Sequence, residues 1–235
     1  MNRQDEHGQN ADEWTTLRAD WARKAEFYKP AIHETVCRPV CLVKAIHDDT
    51  AFQNWRLEKC GEISELASIP FRQIRETIVD FGRHLTGHFS FFPKTFFSEQ
   101  DAPIRLKFTF GEVPSEINTP FDPFPGALSR GWLQDEIVTV PYVDTEITIS
   151  RRLAFRYVKI ELLGTPAPFD FVFADLYCKA TTSTKPFDVQ LAAETPAIIR
   201  DINRVGLETL KECMQTVYED WPKRDQRLWI GDLYL

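Results

Sequence analysis

The feature that most constrains the fold is a series of short apolar runs between about Arg75 and Thr181, each followed by a turn-forming residue. Gly, Pro, Asp and Asn separate the runs, and this spacing is typical of an antiparallel β-sandwich. The predicted strands are Thr77–Phe81, His88–Phe92, Ile104–Phe110, Asp135–Val140, Glu146–Ile149, Tyr157–Leu162 and Phe169–Tyr177. The chain contains 18 Phe residues, many of them in this stretch. Large rings that fill the space between two sheets explain them without a ligand.

The segment before this stretch, residues 1–74, is predicted to hold a tail, a short helix and leading strands. Residues 1–12 are polar and acidic, and we expect them to form a loose tail. Aromatic and aliphatic residues then recur every three or four positions from Glu13 to Tyr28, which indicates an amphipathic helix. The alternation from Glu34 to Ile46 indicates a strand, and Pro39 favours a position at a sheet edge.

The pattern becomes helical in residues 182–235, so the predicted β-sandwich domain covers residues 75–181. Thr195 followed by Pro196 is typical of a helix start. An apolar stripe from Ile198 to Val217 predicts a helix over Pro196–Tyr218 that is packed by this stripe, and Pro222 ends the pattern. The run Gln226–Leu235 is also helix-like but has no terminal cap, so we expect a truncated helical domain.

Charge and composition exclude several classes of function. The net charge of −7 argues against binding to nucleic acid or to an anionic membrane surface. No run approaches the roughly 18 apolar residues of a membrane span, and no signal peptide is recognisable, so we predict a cytoplasmic protein. The histidines His84 and His88 lie in a strand-and-turn context, which favours surface or strand-end roles over metal binding.

The five cysteines are odd in number and scattered, which does not indicate a disulfide framework. We expect reduced thiols, mostly buried, and we predict neither a metal nor a cofactor. The cysteines are Cys37, Cys41, Cys60, Cys178 and Cys213.

The segment Asp220–Asp232 carries the residues best suited to chemistry. It reads Asp-Trp-Pro-Lys-Arg-Asp-Gln-Arg-Leu-Trp-Ile-Gly-Asp. Carboxylates hydrogen-bond sugar hydroxyls, arginine orients a carboxylate and tryptophan stacks on a sugar face. Composition alone leaves two interpretations open, a binding pocket and a solvated interhelical turn with local ion pairs.

This segment resembles the start of the catalytic domain in bacterial α-L-rhamnosidases, which are inverting six-hairpin glycosidases with an (α/α)6 barrel. The family motif reads Asp-Gly-Pro-(Lys/Gln)-Arg-(Glu/Asp), followed a few residues later by Trp-x-Gly-Asp. The residues that match are Asp220, Pro222, Lys223, Arg224, Trp229, Gly231 and Asp232. Looser matches extend back to about residue 75. The resemblance implies a β-sandwich followed by the first helices of the barrel.

The resemblance also implies a role for each matched residue. Asp225 falls on the proposed general acid, which is usually a glutamate. Asp220 and Asp232 fall on carboxylates that bind rhamnose hydroxyls, Arg224 on an arginine beside the acid, and Trp229 on an aromatic residue that lines the subsite.

Two positions depart from the family pattern. Asp225 is one methylene shorter than glutamate, and Trp221 replaces the usual glycine. The family's general base lies beyond the position of Leu235, so we expect this chain alone to be inactive. The expected partners are a rhamnosylated glycoside or oligosaccharide and the missing barrel segment, with self-association as a further expectation. The alternative is a stand-alone carbohydrate-binding or interaction module with a β-sandwich fold.

Overall fold

A computed structural model describes residues 3–124, 126–127, 129–185, 189 and 191–233. The helices are α1 (Arg3–Tyr28), α2 (Phe71–Ile74), α3 (Pro114–Asn118) and α4 (Ala197–Cys213). The strands are β1 (His33–Cys37), β2 (Cys41–His47), β3 (Trp55–Gly61), β4 (Glu76–Phe97), β5 (Ile104–Gly111), β6 (Asp135–Val140), β7 (Ile147–Thr148), β8 (Leu153–Gly164) and β9 (Asp170–Thr182). Across the described residues, no helix combines the length and apolar character that crossing a membrane requires.

The long strand β4 connects the two layers of an antiparallel sandwich. Its first part, Glu76–Asp80, pairs with β8, and its residues 78–80 also pair with β2 on the other side. Its later part, from Gly87, pairs with β9 and briefly with β7. The pairing with β8 shifts register between Asp80 and Leu85, and Gly82 lies there with a positive φ of 72°. Glycine adopts this conformation without steric cost, so the strand can bend here. The change of partner from β8 to β9 follows at Gly87, which pairs with both strands.

The predicted fold class, an antiparallel β-sandwich with helix towards the C-terminus, is confirmed. Strands β8, β5 and β6 extend one sheet from β4, and β9 and β1 extend the other. The described strand pairs are antiparallel.

Phenylalanine rings fill the core, as the composition predicted. The ring of Phe89 is fully buried and lies within 6.4 Å, centroid to centroid, of five other rings. These neighbours are Phe81, Phe91, Phe108, Phe110 and Phe155. Most of the pairs are edge-on or tilted, the arrangements that aromatic quadrupoles favour.

Several element boundaries differ from the predicted ones. The runs Thr77–Phe81 and His88–Phe92 belong to one strand, because Gly82 bends the chain without ending its pairing. The predicted strand Glu34–Ile46 is divided into β1 and β2 around Pro39. Strand β3 was not predicted, since its charged and mostly partly exposed residues lack an apolar alternation. The predicted division into domains stays a prediction, although β1 and β2 pair with β9 and β4.

The helices also differ from their predictions. Helix α1 begins at Arg3, so residues 3–12 are helical where a loose tail was expected, because Arg, Gln, Glu and Ala favour helix. Helix α4 ends at Cys213, five residues before the predicted Tyr218. There the backbone N–H of Ser183 donates to the Met214 carbonyl at 2.7 Å, and the chain leaves the helix to pair beside the end of β9.

The apolar stripe of α4 was wrongly predicted to be packed. Ile198, Ile202 and Val205 are 64%, 61% and 53% exposed, because no described segment covers this face. The predicted helix-like run at the C-terminus contains only a short 3-10 turn at Ile230–Leu233. Residues 234–235 of that run lie outside the described residues.

Replacing Phe89 by Ala should lower the free energy of unfolding by about 3–5 kcal/mol. The substitution leaves a cavity in the core, and the neighbouring rings lose their contacts with the Phe89 ring. The measurement is urea unfolding followed by circular dichroism. The matched control is Phe52→Ala, whose ring is 71% exposed. That variant should stay within about 0.5 kcal/mol of the parent chain. Equal losses in both variants would contradict a core centred on Phe89.

Candidate functional site

The segment that follows α4 is anchored to the sandwich by two buried polar side chains. The Gln215 amide donates to the carbonyls of Thr181 and Glu212 at 2.8 and 2.9 Å, and it accepts from the Thr181 hydroxyl at 3.1 Å. The Glu219 carboxylate accepts two hydrogen bonds of 2.6 and 2.7 Å from Arg152. Burial raises the pKa of Glu219, and Arg152 opposes that shift. These contacts fix the position of the backbone directly before the segment Asp220–Asp232.

The segment Asp220–Arg227 forms a closed loop. The backbone N–H of Asp220 donates to the Arg227 carbonyl at 3.0 Å, and the Gln226 side chain donates to the Pro222 carbonyl at 2.7 Å. Asp225 and Gln226 both have positive φ, 62° and 49°. Such conformations are uncommon for residues other than glycine and often occur at functional sites. The candidate general acid therefore lies at a position of uncommon backbone conformation.

The centre of the loop is held by carboxylates of the sandwich. The Lys223 ammonium contacts Glu112 at 3.4 Å and also contacts Glu116 of α3. The other oxygen of Glu112 lies 2.9 Å from Nε2 of His84, and Nδ1 of His84 contacts Glu212 of α4. Charges alternate along this row, so each partly buried carboxylate has a cationic neighbour. We call these five residues the carboxylate–histidine network.

The network changes the protonation of its members. Burial lowers the pKa of His84, but hydrogen bonds to Glu112 and Glu212 outweigh it and raise the value to about 9. Burial raises the pKa of Glu112, but His84 and Lys223 together bring it below its ordinary value. At neutral pH the imidazolium therefore donates from both ring nitrogens, one to Glu112 and the other to Glu212.

The expectation of a surface or strand-end role for His84 was wrong. Its side chain is only 33% exposed and connects β4, α4 and the segment before α3. Sequence reasoning missed this because Glu112 and Glu212 lie 28 and 128 positions away along the chain. A pattern of residue spacing over a few positions cannot predict contacts between residues so far apart in the chain.

Two cavities flank the loop. The larger, the α4 groove, has a volume of about 700 Å³ and lies between the bend of β4 and helix α4. Its walls include Arg83, His84, Glu208, Glu212, Asp220 and Trp221. The smaller, of about 190 Å³, lies on the other side of Trp221. Its walls include Glu112, Phe124, Trp132, Trp221, Lys223 and Arg224. The Trp221 ring therefore separates the two cavities, and the Arg224 guanidinium lies 5.5 Å from its centre.

The residues predicted to form the site are distributed over this region. Asp220 lines the α4 groove and Arg224 lines the smaller cavity. Asp225 and Trp229 line neither of these two cavities, and Trp229 is 49% exposed. Asp232 lies in the last 3-10 turn, but its side chain falls outside the described residues. Asp220, Arg224 and Asp225 lie on the loop Asp220–Arg227, whereas Trp229 and Asp232 follow it, and the described residues do not bring the candidates into one cavity. Their roles stay predictions.

Comparison with known proteins identifies the family. Residues 39–180 match the glycosyl hydrolase family 78 α-rhamnosidase N-terminal domain. The chain is similar to the solved structure of a rhamnosidase from Klebsiella oxytoca with rhamnose bound, with 34% identity and a TM-score of 0.83. The match covers 92% of this chain and 42% of the Klebsiella protein, so the chain spans less than half of that relative.

More distant structures share the fold. A family 78 rhamnosidase of Bacillus sp. GL1 is 16% identical with a TM-score of 0.52, over 67% of this chain and 15% of that one. An α-L-rhamnosidase from Dictyoglumus thermophilum is 15% identical with a TM-score of 0.51, over 87% and 19%. None of the curated proteins matches the chain. The family match over more than half of the chain and the Klebsiella similarity together show that this protein belongs to the glycosyl hydrolase family 78 α-rhamnosidases.

Proposed function

We propose that the chain is the N-terminal part of a glycoside hydrolase that removes terminal α-L-rhamnosyl residues with inversion. The observation that carries the proposal is the 34% identity, over 92% of this chain, to a rhamnosidase whose structure holds rhamnose. The substrate is a rhamnosylated glycoside or oligosaccharide. Its sugar ring binds beside the loop Asp220–Arg227, in a pocket that further barrel helices complete.

In this proposal the three carboxylates Asp220, Asp225 and Asp232 have two tasks, proton donation and sugar binding. Asp225 protonates the glycosidic oxygen as the bond to the anomeric carbon breaks. A water molecule attacks that carbon from the opposite face and gives its proton to a general base, which this chain does not supply. An inverting enzyme holds its two carboxyl groups about 6.5–9.5 Å apart, which leaves room for that water. Asp220 and Asp232 bind sugar hydroxyls, Arg224 orients the acid and Trp229 lines the subsite.

The carboxylate–histidine network gives the sandwich a part in this function. Lys223 lies between Pro222 and Arg224, at the centre of the loop, and its ammonium is held by carboxylates of the sandwich. Catalytic groups need positions that are accurate to a fraction of an ångström. We therefore infer that Glu112 and Glu116, through Lys223, hold the loop in the position that the barrel requires.

The alternative function is sugar binding without catalysis. The α4 groove supports it, because the described chain alone forms a cavity of about 700 Å³ beside Trp221, with carboxylates and arginines in its walls. The exposed stripe of α4 is covered, in the main proposal, by barrel helices. A chain without them self-associates through this stripe. A cytoplasmic location stays a prediction.

The test of function joins this chain to the part of the Klebsiella rhamnosidase that it does not match. The hybrid should release nitrophenol from nitrophenyl α-L-rhamnoside, whereas the 235-residue chain alone should not. Asp225→Asn should lower kcat of the hybrid by about 10²–10⁴-fold, since the leaving oxygen loses its proton donor. The matched control is Asp201→Asn, an exposed carboxylate of α4, and it should leave kcat unchanged.

Two outcomes would contradict the proposal. Turnover by the chain alone that disappears in Asp225→Asn would show that the base lies within these residues. Rhamnose binding by the chain, combined with a folded but inactive hybrid, would favour the carbohydrate-binding alternative. Ligand-observed NMR with free rhamnose measures that binding.

The network also predicts how stability depends on pH. The pKa of His84 is raised from 6.5 to about 9, so its contribution is complete below about pH 6.5 and is lost as the pH rises through about 9. The pKa of Glu112 is lowered, so its contribution is present above its ordinary value of 4.5 and is lost at lower pH. The two together give maximal stability between about pH 4.5 and 6.5.

Replacing His84 by Gln should therefore lower the free energy of unfolding by about 1–2 kcal/mol at pH 6, since Glu112 and Glu212 both lose the imidazolium donor. The loss should shrink towards zero near pH 10, where the parent chain has lost the same charge. Urea unfolding at the two pH values measures the difference. His33→Gln, at an exposed position of β1, is the control and should change little at either pH. A deficit in His84→Gln that is equal at both pH values would contradict the charged state of His84.

A further inference from the structure

Two cysteines lie directly opposite each other in the sandwich. Cys37, the last residue of β1, is the register partner of Cys178 in β9. Directly opposed residues of antiparallel strands have Cα atoms about 4.5–5.5 Å apart and side chains on the same face. A disulfide needs a Cα separation of about 4.4–6.8 Å. Cys178 is fully buried in the core, and Cys37 packs against that core from a partly exposed position.

A cation lies against the more accessible of the two thiols. The Arg83 guanidinium donates a hydrogen bond of 3.0 Å to the Cys37 sulfur. Cationic neighbours stabilise a thiolate, which is the nucleophilic form of cysteine. Cys37 therefore combines partial exposure, a charged donor and a second thiol directly across the strand pair.

The neighbouring pair, Cys41 and Cys60, lacks this arrangement. Burial and then the Asp80 carboxylate raise the pKa of the Cys41 thiol, and Asp80 is also the register partner of Cys41. Cys60 lies at the register shift between β2 and β3, where no residue is paired with it. Neither of these cysteines has a described hydrogen bond from a cationic side chain.

We propose that Cys37 is a site of thiol–disulfide exchange with small-molecule disulfides such as glutathione disulfide, and that Cys178 is its resolving thiol. The Cys37 thiolate attacks one sulfur of glutathione disulfide, which forms a mixed disulfide and releases one glutathione thiolate. Cys178 loses its proton and attacks the Cys37 sulfur, and the second glutathione thiolate leaves. The two protein thiols lose two electrons, glutathione disulfide gains them, and the two protons end on two glutathione molecules.

The two steps differ in rate because their thiols have different surroundings. Burial raises the pKa of Cys178 well above its ordinary value, so the resolving step is the slow one and accelerates as the pH rises. The product links the edge strand β1 covalently to β9. It also places a disulfide sulfur next to Arg83, whose side chain lines the α4 groove beside His84. Oxidation thus acts at the wall of the candidate site without touching the loop Asp220–Arg227.

The experiment incubates the folded chain with glutathione disulfide, alkylates the remaining thiols and maps the peptides by mass spectrometry. The expected product is a peptide pair linked through Cys37 and Cys178. Cys178→Ala should instead accumulate the glutathione adduct on Cys37. Arg83→Met should slow the first step about three- to tenfold, because the thiolate loses its cation. Cys60→Ser is the control and should leave the rate of linkage unchanged.

Three results would overturn the proposal. One is a link between Cys41 and Cys60 in place of the expected pair. Another is a Cys37 that stays free for alkylation while Cys60 is modified. The third is an Arg83→Met variant that reacts at the rate of the parent chain, with folding verified by its urea unfolding midpoint. None of these measurements depends on rhamnoside hydrolysis, so they test the thiol–disulfide proposal independently of the proposed function.

Discussion

The architecture depends on one strand that belongs to two sheets. Strand β4 pairs with β2 as far as Asp80 and with β8 as far as Gly87, and from Gly87 onwards it pairs with β9 and briefly with β7. A positive φ at Gly82 makes the bend, and the buried Phe89 follows on the inner face. Because the same backbone crosses from one layer to the other, the two sheets cannot separate without breaking β4. The residues at the bend, Arg83 and His84, are consequently held at the junction of the layers and face helix α4.

Side chains at this junction hold the C-terminal segment against the sandwich. A buried charge is tolerated only where an opposite charge and hydrogen bonds compensate the lost hydration. Along the network the charges alternate from Glu212 through His84 and Glu112 to Lys223, and Glu219 has a separate partner in Arg152. The loop with the candidate general acid is thus attached to the sandwich by ion pairs, whereas α4 exposes its apolar stripe. Under the proposed function, the sandwich acts as a fixed support for this loop.

Local patterns were enough to predict the sandwich, since alternation and turn residues act over a few positions. They correctly indicated β5, β6 and the Phe-filled core. They failed where distant contacts decide the outcome. Helix α4 ends early because its last carbonyls meet Thr182 and Ser183 at the end of β9, about thirty positions earlier in the chain. The role of His84 depends on carboxylates from two other elements, which no spacing in the sequence reveals.

The candidate site was found through its motif, since the loop is continuous in sequence and its residues could be matched one by one. What the motif could not predict is the geometry around it. Trp221 stands between two cavities, and Asp220 and Arg224 face different ones. The pairing of Cys37 with Cys178 could not be predicted from the sequence either. The two residues are 141 positions apart, and only the register of β1 and β9 brings them together.

The left-handed backbone at Asp225 has a consequence for how this position varies. With φ at 62°, the residue adopts a conformation that short polar side chains tolerate best, and for longer ones it costs roughly 1–2 kcal/mol. A change to the longer glutamate would extend the carboxyl group by one methylene and add strain to the turn. Gln226, also at positive φ, shares that turn and would need to relax with it. A substitution at position 225 is therefore expected to change the backbone conformation at position 226 as well, so the two positions act on the shape of the turn together.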